Sequence, residues 1–98
     1  MSAYFIVDLH IRDHIGFQDY ARAVGPVLEK FGARYLVSGE AGNVVEVLEG
    51  DWAPKKLTVI EFPSRARAKE FFGSPEFREV VGLRHKSAKT NLVLIGDL

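Results

Sequence analysis

The stretch "AYFIVDLHI", residues 3–11, decides the fold. Read at period two, it has one wholly apolar face: Ala3, Phe5, Val7, Leu9 and Ile11. The other face is mixed: Tyr4, Ile6, Asp8 and His10. Side chains alternate across a strand, so this is a strand with two unlike faces. The clean face asks for helices. The mixed face asks for a less uniform partner.

The chain downstream supplies the helices. Asp13 can cap a helix whose apolar stripe recurs at three- and four-residue steps: Phe17, Tyr20, Val24, Val27, Leu28 and Phe31. Gly32 is placed to stop it, and Gly25-Pro26 inside it predicts a kink. A second strand follows in "ARYLVSG", then turn chemistry in "GEAGN", residues 39–43. "VVEVLEG", residues 44–50, alternates again. It is either a hairpin partner or the second strand resuming after a bulge. "KKLTVIEF", Lys55 to Phe62, is the next strand; Leu57, Val59 and Glu61 share one face, Thr58, Ile60 and Phe62 the other. Ser64 caps "RARAKEFF". "GSPEF" interrupts, with Ser74 as a new cap, Pro75 at the first helical position and Glu76 at the positive helix end. The helix resumes through Phe77, Val80, Val81 and Arg84. "TNLVLIGDL" is the last strand.

The order βαββαβ, with right-handed crossovers, predicts a ferredoxin-like α+β plait in one domain, residues 1–98. A four-stranded antiparallel sheet carries its helices on one face. Leaving the opposite, half-apolar face open to water is unfavourable in so small a protein. Packing it on a second copy by two-fold symmetry gives a homodimer with a barrel-like interior, a face-to-face dimeric α/β barrel.

Bulk properties fit this reading. Thirteen basic and thirteen acidic residues cancel in a chain of 98, which argues against a nucleic-acid partner. The absence of cysteine excludes disulfides, thiolate metal sites and a cysteine nucleophile. The start "MSAYFIVDLHI" lacks the basic and long apolar regions of a signal peptide, and no apolar run approaches the ~20 residues that span a bilayer. A cytoplasmic location without membrane association is expected.

The motifs "FQDYARAVGPVLEKFGARYLVSG", "VEVLEGDW", "VIEFPS", "SPEF" and "LVLIGDL", in this order, resemble a small bacterial family known as domain of unknown function 1330. That family lies in the dimeric α/β-barrel superfamily. The resemblance covers nearly the whole chain and implies the same plait and dimer. It implies no reaction. Superfamily relatives include cofactor-free monooxygenases of quinol-like aromatics, lactone isomerases, haem-handling enzymes and stress-related binding proteins, and fold does not choose among them. The chain departs from the family pattern in the length of "GEAGN". It also carries Phe72-Gly73 where a tyrosine and a polar residue would be expected, which implies a pocket that is more apolar or differently shaped.

Candidate chemistry is sparse. Asp8 and His10 project from one face two residues apart. That spacing suits a pair in which Asp8 holds the tautomer and His10 moves a proton; the plainer alternative is a polar pair at the rim of the sheet. Glu61, flanked by apolar residues, is either a general base with a raised pKa or one half of an ion pair with Arg84 or Arg34. Asp8, His10 and Glu61 are therefore the candidate catalytic residues. Tyr4, Tyr35, Trp52, Phe72 and Arg84 are candidate ligand contacts, although aromatics more often simply fill a core. Trp52, the single tryptophan, follows the turn Glu49-Gly50-Asp51. Dimer or inter-strand packing is its first reading, the rim of a pocket its second, an isolated core plug its last. His10 and His14 flank a strand-to-helix junction, and His85 sits between Arg84 and Lys86, so no metal site is expected. No glycine-rich phosphate loop implies a nucleotide cofactor, and no serine sits in a nucleophile motif. The expected function is a small homodimer that binds a small hydrophobic or aromatic molecule in a pocket on the sheet face, with cofactor-independent proton transfer or oxygenation as candidate chemistry. The alternative is a non-catalytic dimeric module, structural or stress-related.

Overall fold

A computed structural model describes residues 2–38 and 44–97. Strand β1 (Ala3–Ile11) leads into helix α1 (His14–Lys30) and short strand β2 (Arg34–Val37). Strand β3 (Lys56–Phe62), helices α2 (Arg65–Gly73) and α3 (Pro75–Ser87), and strand β4 (Ala88–Gly96) complete the chain. The sheet runs β2-β3-β1-β4 with every neighbouring pair antiparallel, the ferredoxin-like order.

The opening strand behaves as its alternation requires. Ala3, Phe5, Val7 and Leu9 are at most 4% exposed, and they join Val24 and Leu28 of α1, Phe71 of α2 and Phe77 of α3 in one core. On β3, Ile60 and Phe62 enter the same core. The helices thus cover one face of the sheet. Each starts on a capped end: Asp13 accepts from the Gly16 amide, Ser64 from Arg67, and Ser74 from Phe77. Gly32 closes α1 with φ of 75°, a conformation a side chain would strain. Ser74 also ends α2, so the second helical region is two helices meeting at one residue.

Two expectations change. The second strand keeps only Arg34–Val37 of the stretch expected for it. Residues 44–48 belong to no strand, so they are neither a hairpin partner nor a continuation of β2. Their alternation does not correspond to a ladder of hydrogen bonds with a neighbouring strand. Val44 and Leu48 are 85% and 87% exposed. The turn expected in "GEAGN" lies outside the described residues.

Candidate functional site

The two faces of the sheet carry two different sites. On the helix side, phenylalanine rings fill one end of the layer. Phe5 meets Phe62 at 4.8 Å between centroids, and Phe71 meets Phe77 at 4.6 Å. From this cluster a cavity of about 790 Å³ extends toward the end of β1 and the start of α1, reaching Leu9, Ile11, His14 and Phe17. The cavity is partly open to solvent, and a hollow of this size in a 98-residue chain stands out. It lies within the ~300–1,000 Å³ typical of ligand pockets.

The walls are mainly apolar, with a few polar groups among them. Arg84 comes from α3, one helical face with Phe77 and Val81, and is buried. Its Nη1 donates to the Tyr20 hydroxyl at 3.4 Å. Its guanidinium also lies 5.5 Å from the centre of the Tyr20 ring and 5.7 Å from that of Phe77. Its Nε is buried and has no hydrogen-bond partner among the described residues. Burial pushes the Tyr20 phenol up from its ordinary value, and the nearby Arg84 charge offsets this only in part. Tyr20 therefore keeps its proton at neutral pH. Thr58 joins the wall from β3, where it faces inward with Ile60, and its hydroxyl is also buried without a partner. Tyr35, half exposed on β2, lines the same cavity.

The open face holds the residues expected to be catalytic. Asp8 lies on it, opposite Leu57 of β3 and Asn91 of β4. Its Oδ1 is 3.5 Å from His10 Nε2. The Trp52 indole donates to its Oδ2 at 3.4 Å, so the tryptophan lies over the open face while remaining 60% exposed. Asp8 itself is only 8% exposed. Glu61 pairs across the strands with Tyr4, four residues from Asp8, or about 13 Å along the strand at the usual rise. Asp8 and His10 come together; Glu61 does not join them. Arg34 Nε donates to Glu61 Oε1 at 2.6 Å, one of the two ion pairs considered for this residue. That hydrogen bond, helped by Ser2, holds the Glu61 carboxyl below its ordinary value, the opposite of a raised pKa. Arg84, the other partner considered for Glu61, lies on the far side of the sheet.

Of the expected ligand contacts, Tyr35 and Arg84 line the main cavity. Phe72 lines a separate hollow of about 330 Å³ with Phe5 and Leu94. Tyr4 and Trp52 lie on the open face. The cavity residues passed over in the sequence are Tyr20, Thr58 and His14. One signal was available: Tyr20, Thr58 and Arg84 each put a polar group on an otherwise apolar stripe or strand face. Among the described residues no cluster of three or more His, Asp or Glu side chains could hold a metal ion. Among them, too, no helix is long and apolar enough to cross a membrane.

Comparison with known proteins supplies the family and the fold. A protein of unknown function from Rhodopseudomonas palustris superposes with a TM-score of 0.75 at 22% identity, over 99% of this chain and 82% of that one. A conserved protein from Methanosarcina mazei gives 0.61 at 17% identity, over 100% and 95%. A dimeric ferredoxin-like protein of unknown function from Jannaschia sp. gives 0.63 at 12% identity, over 98% and 99%. At these identities the likeness is one of fold alone. No curated protein matches the sequence. The sequence itself matches the family described as domain of unknown function DUF1330 over residues 2–98, and the chain belongs to that family.

Proposed function

We propose that the protein is a homodimer that binds a small hydrophobic or aromatic molecule in the cavity between sheet and helices. The observation that carries this reading is the cavity itself: about 790 Å³, walled by apolar side chains, with a few polar groups among them. The dimer reading draws on the open face, where Trp52, Val93 and Ile95 are 60%, 55% and 48% exposed, and on the dimeric state named for the Jannaschia protein.

A thermal-shift and native mass-spectrometric screen with quinols, lactones and aldehydes tests the binding. A ligand should raise the melting temperature and move the NMR signals of Tyr20, Thr58 and Ile60. Signals moving only at Ile6, Leu57 and Val59 would shift the ligand to the open face. No hit in any class would remove the reading.

The open face favours a second reading for its own polar groups. Glu61 is engaged by Arg34, and Asp8 accepts from Trp52 on Oδ2 with His10 3.5 Å from Oδ1, as expected of a non-catalytic module in which these pairs set register. Proton transfer through His10 or Glu61 would have to serve a molecule on that face. Turnover unchanged in His10→Ala and Glu61→Ala would leave the module reading standing.

A further inference from the structure

We propose that the cavity takes a small carboxylate, an apolar or aromatic body with one anionic head group, and that Arg84 holds the head. The inference rests on the reading of the cavity as a ligand site and names the class of ligand.

Arg84 is 7% exposed, yet among the described residues no carboxylate pairs with it. Its charge meets two aromatic faces and one long hydrogen bond, and its Nε has no partner. A guanidinium stays charged at any physiological pH. A permanent cation removed from water is costly until an anion joins it. A core that needed only packing would carry Leu or Met at this point of the stripe. The flat guanidinium fork matches a planar carboxylate with two parallel bonds. Tyr20 complements it: the phenol accepts from Arg84 and retains its own proton to donate to the same anion. Val7, Phe17, Ile60 and Leu92 offer apolar contact to the body of the ligand, while His14, Gln18, Lys56 and Thr58 add polar atoms elsewhere along the wall.

The test is isothermal titration of the full chain with two matched pairs: 2-naphthoate against 2-naphthamide, and octanoate against octanamide. Each is measured with the parent protein and with Arg84→Met. At least one acid should bind the parent roughly tenfold or more tighter than its amide, the increment of hydrogen bonds to a charged group. Arg84→Met should bind acid and amide alike. Acid and amide of equal affinity for the parent would overturn the carboxylate proposal and leave the ligand site intact. If neither pair binds, the ligand-site reading fails and this proposal with it. Arg84→Met keeps an unbranched apolar stem and removes the guanidinium with its charge. Should it fail to fold, the Arg84 Nε proton of the parent gives the answer by NMR. It should move on adding naphthoate and stay still with naphthamide, and an unmoved signal with bound naphthoate overturns the proposal.

Discussion

Single residues on the two sheet faces answer to different physics. Thr58 buries a hydroxyl with no partner, which costs more than the hydrogen bond it would make in water returns. Thr58→Val should therefore raise stability by about 1 kcal/mol in urea unfolding; a loss would mean that the hydroxyl is bonded. Glu61 behaves in the opposite way. Its pKa in the folded state is depressed, chiefly by the Arg34 hydrogen bond. A group of this kind contributes stability above its unfolded pKa, and that stability is lost as pH falls through the folded value. The melting temperature of the parent should fall on acidification below the ordinary glutamate value of 4.5, and Glu61→Gln should be less stable at neutral pH with a flatter profile there. Parallel profiles for the two proteins would show that the pair contributes nothing. Glu61 was legible in the sequence as a residue with a partner. Which arginine it takes was not, because Arg34 and Arg84 are both distant from it in the chain.

Elements were the most legible level, because their signals are local. The caps Asp13, Ser64 and Ser74, Pro75 at the first position of α3 and Gly32 after α1 all lie within a turn of the boundary they set. Ser74 carries two duties. Its hydroxyl donates to the Phe71 carbonyl at 2.8 Å and accepts from the Phe77 amide at 3.2 Å, while its own backbone is extended between two helices. It is buried, so water cannot replace it at either helix end. Ser74→Ala should cost about 1–2 kcal/mol, at the upper end for an N-cap, read from the denaturant midpoint. Ser64→Ala, which loses a single bond, should cost less. The segment 44–48 shows the limit of local signals. Alternation is a property of the chain alone, and a strand also needs a hydrogen-bonded neighbour, which alternation cannot specify.

At the scale of the molecule, the open face is the main unsatisfied surface. Trp52 lies exposed over a buried Asp8, and Val93 and Ile95 extend the exposed apolar surface along β4. A stable two-fold interface needs roughly 1,200 Å² or more, and light scattering at micromolar concentration should give twice the 10.9 kDa chain mass. Trp52→Ala should weaken the dimer more than it destabilises the fold, since the indole reaches Asp8 by one long bond and is otherwise free to anchor a partner. Unchanged dimer affinity would return Trp52 to a local role over Asp8. The sequence by itself determined the elements, their order, the two unlike faces of β1 and the ferredoxin-like plait. All of these follow from periodicities and caps read within a few residues, and from the handedness of crossovers. Only the tertiary structure decided where the space is. The cavity lies under the helices, and the residues first considered for catalysis lie on the opposite face. Arg84 meets Tyr20 across 64 positions of chain and, among the described residues, pairs with no carboxylate. A pattern along the chain states which side of an element is apolar; how well two such sides fill the gap between them depends on side chains brought together from every element at once.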